Sequence, residues 1–153
     1  MASNKNYNDF LLETAQLPRS MLTYEIAGRK IKTAETVKQL REQLARILFY
    51  EITEPNVSFI PPCTIPCDLD SCDKPLKIWK KEFDVSPKTD TLAECIKIRL
   101  SFLECRLVRF QPTDKNLQKY LKLIQTNIED FIKLINNSTT VAGLPRKNLK
   151  IFL

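Results

Sequence analysis

The sequence predicts a mainly α protein: a small helical bundle with an antiparallel C-terminal helix hairpin and a proline-rich extended middle segment. Three observations lead there. Apolar residues recur at three- and four-residue steps through 34–53, 92–110 and 114–136. Helix-capping residues or prolines flank each of these stretches. Six of the nine prolines fall within residues 54–88, where each removes a backbone donor and opposes regular structure. With 153 residues and 43% apolar content, the chain can bury a real core, and one domain over 1–153 is expected.

Near the N-terminus, Asn8 to Gln16 predicts a short helix that stops before Pro18, because proline disfavours helical geometry in its predecessor. Tyr24–Lys32 reads as a surface turn or hairpin around Ala27-Gly28. The first long helix runs from Ala34 to Thr53, with Val37, Leu40, Leu44, Ile47, Leu48 and Ile52 as its apolar stripe. Thr33 is its expected N-cap, and Pro55 closes it.

Residues 54–88 are expected to form an irregular arm with short strands at Val57–Ile60 and Lys77–Val85. An arm of that length either wraps the helical body, anchored by Phe59, Ile60, Trp79 and Phe83, or stays open until a partner orders it. Leu92–Phe110 follows, opened by the capping-box pattern Thr91-Leu92-Ala93-Glu94. Its stripe of Leu92, Ile96, Leu100, Leu103, Leu107 and Phe110 is widened by Ile98, Phe102 and Val108, so it should meet neighbours on more than one side. After the short Phe110-Gln111-Pro112-Thr113 junction, Asp114–Asn136 carries the cleanest stripe in the chain. A short junction predicts that these two helices pack as an antiparallel pair. The tail, Val141–Leu153, is basic through Arg146, Lys147 and Lys150 and ends apolar in Ile151, Phe152 and Leu153.

Composition removes several function classes. The chain has no histidine, which excludes His-based acid–base catalysis and His-bearing metal sites. Gly28 and Gly143 are its two glycines, so no glycine-rich loop can cradle a phosphate. No apolar run approaches the length of a membrane span. The opening MASNKNYNDFLLETAQ lacks the apolar stretch of a secretory signal, which points to an intracellular protein of the cytoplasm or nucleus.

Cys63, Cys67 and Cys72 form C-x3-C-x4-C, three ligands at a spacing unlike the paired cysteines of structural zinc sites. Asp68 or Asp70 would have to supply an oxygen ligand, and neither metal nor cofactor is expected. Cys95 and Cys105 read as small core residues. A disulfide framework fits an odd cysteine count poorly. Sequons at Asn56, Asn136 and Asn137 would matter only in a secreted chain. Asp68, Asp70 and Asp73 cluster, but aspartates in loops commonly form turns. No residue pattern pairs a nucleophile with a base. The chain is therefore read as a non-enzyme.

One stretch suggests nucleic acid. Glu25-Ile26-Ala27, followed after five residues by Thr33-Ala34-Glu35-Thr36-Val37-Lys38, resembles the LuxR-type helix-turn-helix of response regulators over about 25 of the 153 residues. The resemblance implies that Thr33 caps a recognition helix and that Thr36, Lys38 and Arg41 face DNA. Separately, the charge of the basic tail makes Arg146 and Lys147 candidate nucleic-acid contacts. The packing chemistry opposes it: that family buries apolar residues where this chain has Lys30 and Lys32, and Ile31 is about 100° out of phase.

The leading expectation is a non-enzymatic protein–protein interaction module, a helical subunit or adaptor that docks another protein or a second copy of itself. Phe102, Val108, Trp79, Phe83, Ile151, Phe152 and Leu153 are the candidate contacts. DNA binding through residues 24–46 and the tail is the alternative.

Overall fold

A computed structural model describes residues 5–53, 58–85 and 89–140. They form α1 (Tyr7–Thr14), α2 (Arg19–Ala27), α3 (Val37–Thr53), α4 (Ile65–Val85), α5 (Asp90–Leu107) and α6 (Lys115–Thr140). The protein is mainly helical, with no strand among the described residues. Where the sequence suggests one domain, the chain divides into two compact units, Met1–Pro62 and Cys63–Leu153.

In the first unit, α1 opens on a reciprocal capping box: Asp9 N donates to Asn6 Oδ1 at 3.0 Å, and Asn6 N donates to Asp9 Oδ2 at 2.9 Å. Two orphan amides are satisfied at once. Phe10 and Leu17 are buried, and the rings of Tyr7 and Phe10 meet Phe49 of α3 edge-on. Thr14 is fully buried, and its hydroxyl donates to Arg41 O at 3.0 Å, tying α1 to α3.

The surface turn expected at Tyr24–Lys32 begins instead inside α2. Tyr24, Glu25 and Ile26 are buried helical residues, because Met21, Leu22 and Ile26 form an inward face too short to stand out as a stripe. The α3 cap is Thr36 rather than Thr33. Gln39 N donates to Thr36 Oγ1 at 3.1 Å and Thr36 N to Gln39 Oε1 at 3.3 Å, a hydroxyl–carboxamide box that Thr33 cannot make three residues earlier. Leu40, Leu44 and Ala45 then face the core.

Beyond the 54–57 segment, Ile60 N donates to Gly28 O at 2.8 Å. Phe59 lies so close to Gly28 that an added Cβ would stand 2.1 Å from its ring. That ring also meets Tyr24, with centroids 5.4 Å apart.

The second unit overturns the extended reading of 54–88 over most of its length. Residues 65–85 are the helix α4, with Pro75 inside it. An interior proline removes one hydrogen bond and clashes with the preceding turn, a cost of about 3 kcal/mol. The inward row Leu69, Cys72, Leu76, Trp79 and Phe83 outweighs it; alternating steps of three and four residues bury all five. The strand expected at Lys77–Val85 does not form, and neither do residues 58–60.

At α5 the cap is Thr89, whose Oγ1 accepts from Leu92 N at 3.2 Å, so the helix starts before the expected Thr91 box. Ala93, Ile96, Ile98, Leu100, Leu103 and Leu107 are buried, as the broad apolar arc requires, and both α4 and α6 pack on α5. Asp114 caps α6, its Oδ1 accepting from Asn116 N at 2.7 Å and from Leu117 N at 3.2 Å. Ile124, Ile128, Phe131, Ile132 and Ile135 form its inner stripe. Lys97, in the first half of α5, is 2% exposed and donates through Nζ to Asn136 Oδ1 at 3.1 Å, late in α6. Burial holds the Lys97 pKa below its usual value.

Asp68 is buried at the start of α4 and paired with Arg106 at the end of α5, whose Nε donates to Asp68 Oδ1 at 2.7 Å. A second donor of the same guanidinium, Nη2, meets the same oxygen.

Candidate functional site

A concavity with an apolar floor lies in the first unit, lined by residues of the Gly28–Thr36 connection and of α3. Ile31, Ile47 and Tyr50 make its floor, Arg29, Arg46 and Glu51 its rim, and it encloses about 260 Å³. Ile31 is 40% exposed and Tyr50 60% exposed. The stripe of α3 fixes this arrangement. Leu40, Leu44 and Ala45 turn inward, which leaves Arg46, Phe49 and Tyr50 on the solvent side of the same helix.

Each wall has its own support. Lys30 has φ 63°, a left-handed conformation that costs a non-glycine residue roughly 1 kcal/mol or more and reverses the chain just past α2. Gln43 reaches back from α3 and grips the connection with both ends of its carboxamide. Its Oε1 accepts from Ala34 N at 3.0 Å, while its Nε2 donates to Lys32 O at 2.8 Å. Arg19 Nη2 adds a bond to Glu35 O at 2.7 Å.

On the other side, Arg29 clamps Glu51 with two donors, Nε to Oε2 at 2.5 Å and Nη2 to Oε1 at 3.0 Å. Its Nη1 donates to Glu25 Oε1 at 3.0 Å and to Glu25 O at 2.6 Å. Its guanidinium also lies 5.4 Å from the Phe59 ring centre. Burial alone would lower the Arg29 pKa, but the hydrogen bonds and charges of Glu51 and Glu25 outweigh it and raise it. Arg29 therefore stays charged and held in place. Arg46, by contrast, has no hydrogen-bond or ion-pair partner among the described residues.

No family model, curated protein or solved structure matches this chain. The site is therefore read from its own chemistry.

The structure scatters the contacts expected from sequence. Trp79 and Phe83 face the core of the second unit, with Phe83 edge-on to Phe131 and Arg99 above Trp79. They are not offered to a partner: helix α4 turns both inward. Phe102 is half-buried, and Val108 alone of the four that fall among the described residues is strongly exposed, at 69%. Ile151, Phe152 and Leu153 lie outside the described residues, as do Arg146 and Lys147.

Of the residues implied for DNA, Thr36 spends its hydroxyl on capping α3, and Lys38 is exposed. Arg41 is half-buried, with its Nε shut away from solvent and without a hydrogen-bond partner among the described residues. A helix-turn-helix joins its helices by roughly three to four residues, whereas α2 and α3 are separated by the whole of Gly28–Thr36.

No disulfide joins the five cysteines, all of which lie among the described residues. Cys72 belongs to the buried row of α4, while Cys67 is exposed. Burial, and next the nearby charge of Asp68, push the Cys63 thiol up, so it is held neutral rather than activated. Among the described residues no group of three or more histidine, cysteine or acidic side chains is arranged to hold a metal ion. Tyr120 of α6 donates to Asp70 Oδ1 at 2.8 Å and contacts Asp73 Oδ2 at 3.2 Å, a tie to α4. Desolvation and then the Asp70 bond push its phenol pKa well up.

Sequence reasoning missed the groove. Its signals were small: Ile31 alone between two lysines, and the Phe49-Tyr50 pair continuing past the inward stripe.

Proposed function

We propose that the protein is a non-enzymatic interaction module, a helical adaptor that docks another protein through the first-unit groove. The observation behind it is the exposed apolar floor of Ile31, Ile47 and Tyr50, held between a gripped connection and a locked Arg29–Glu51 clamp. Concave apolar surface with a few fixed polar groups is what recognition sites are made of. The broad arc of α5 no longer supports the reading, because α4 and α6 cover it and leave Val108 as its exposed remainder.

As part of the same proposal, α5 and α6 form an antiparallel hairpin that gives the second unit a rigid body, which the early-α5 to late-α6 bond of Lys97 and Asn136 supports. No helix among the described residues is long and apolar enough to cross a membrane.

The test is a quantitative pull-down that compares the tagged wild type with an Ile31→Ser, Tyr50→Ser variant of unchanged helix content. The reading expects at least one protein captured by the wild type and lost from the variant, and recaptured in the reciprocal experiment. Identical capture by both would overturn it.

A further inference from the structure

We propose that the groove is specific for an acidic peptide segment: the partner buries one aliphatic or aromatic side chain against Ile31, Ile47 and Tyr50 and sets a neighbouring carboxylate on Arg46. This rests on the interaction reading above and names the chemistry of the partner.

Size comes first. A volume of about 260 Å³ lies below the roughly 300–1,000 Å³ usual for a drug-sized ligand. It suits a single anchoring side chain rather than a cofactor. The floor supplies area but little direction; direction comes from charge.

The groove has one acidic side chain on its rim, Glu51, and Arg29 occupies both of its oxygens. Glu25 is likewise turned inward, with 4% of its side chain exposed. Arg46 is the rim charge left without a partner among the described residues. Lys30 and Lys32 extend from the connection that carries Ile31, both exposed and both without an ion pair among the described residues. Glu35 and Glu42 line an adjoining polar depression that shares Arg46. The apolar floor is bounded by positive charge still able to take a ligand.

A carboxylate bound bidentately by a guanidinium gains geometry as well as attraction. The Gln43 grip and the left-handed Lys30 fix the wall in advance, so little ordering is left for the moment of binding. A nucleic-acid strand would use the same cations but needs aromatic faces for its bases; here two of the three floor residues are isoleucines. The floor favours a peptide.

The test is fluorescence anisotropy on the full chain with three labelled probes: a random copolymer of glutamate and tyrosine, polyglutamate, and a single-stranded oligonucleotide. The copolymer should bind roughly tenfold more tightly than polyglutamate, since only it brings an anchor. Arg46→Glu should weaken copolymer binding about tenfold or more, the usual effect of a lost charge-assisted hydrogen bond. Arg46→Gln serves if the reversal disturbs the fold by circular dichroism. Ile31→Ser should bring the copolymer down to the level of polyglutamate.

Equal binding of copolymer and polyglutamate would overturn the proposal, as would tighter binding of the oligonucleotide or no binding of any probe. A groove-dependent partner found by pull-down, together with a copolymer that does not bind, removes the acidic partner and keeps the interaction module. Failure of both experiments removes both.

Discussion

Gly28 is a residue whose smallness has one identifiable use. Its backbone is ordinary for a helix end, φ −62°, so the requirement is space for Phe59, not conformational freedom. Gly28→Ala would gain up to about 1 kcal/mol of helix preference and lose more by driving the ring off Tyr24 and Arg29. A net destabilisation of roughly 1–3 kcal/mol in urea unfolding is expected, with tyrosine fluorescence reporting the displaced Phe59 contact. Glu104 on α5 gives a second single-residue prediction. Burial, and after it the charge of Glu129, raise its pKa above the usual carboxylate value. Between the unfolded and the folded pKa the unfolded chain has already released its proton while the native one retains it. Stability thus falls as pH rises through that window and is fully present below it. Glu104→Gln should flatten that slope and raise the melting temperature at neutral pH. A variant with an unchanged slope would show that the carboxyl is not the titrating group.

At the level of elements, α4 shows what proline does and does not decide. Six prolines in 54–88 argued for an extended arm, yet Leu69, Cys72, Leu76, Trp79 and Phe83 were spaced for a helix all along. Pro66 falls in the first turn, where its missing donor costs little, and only Pro75 is truly interior. Summed burial of five side chains overrides one lost hydrogen bond. Pro75→Ala should therefore stabilise the second unit by about 1–3 kcal/mol, read as a higher urea midpoint with unchanged slope. A drop would mean that proline at 75 is itself needed for packing. The helices α3, α5 and α6 were legible because long, periodic segments determine their own type. Their caps were legible only to within a few residues, since Thr33 and Thr36, or Thr89 and Thr91, offer the same chemistry. Helix α2 was not, because its nine residues give too few turns for a stripe to emerge.

For the molecule as a whole, two cores replace the single one expected. No local sequence pattern marks the division between Pro62 and Cys63; it follows from which helices find each other. Leu44 belongs to the first core and Leu103 to the second. The Asp68–Arg106 pair belongs wholly to the second. Arg106→Met would strand a buried carboxylate and should cost that unit about 3–5 kcal/mol. The Asp68→Leu, Arg106→Met double variant should recover most of the loss. Amide exchange followed residue by residue should accelerate across α4, α5 and α6 in the single variant and stay unchanged in α1 to α3. Uniform acceleration would show that the two cores unfold as one. The docking reading drew its warrant from sequence in the second half of the chain, and the groove that now supports it lies in the first. Amphipathicity tells how much apolar surface exists, not which piece the fold leaves uncovered.

Two of the arginines described here, Arg29 and Arg106, have withdrawn their charge from the solvent, with side chains only 6% and 8% exposed. Dissolved ions act over a Debye length of about 8 Å at physiological ionic strength, and only where water can carry them. Sodium chloride should therefore leave the melting curve almost level while loosening whatever rests on Arg46. If the proposed recognition holds, it draws on the same kind of charge as folding, yet a titration with common salt should switch off one and leave the other standing.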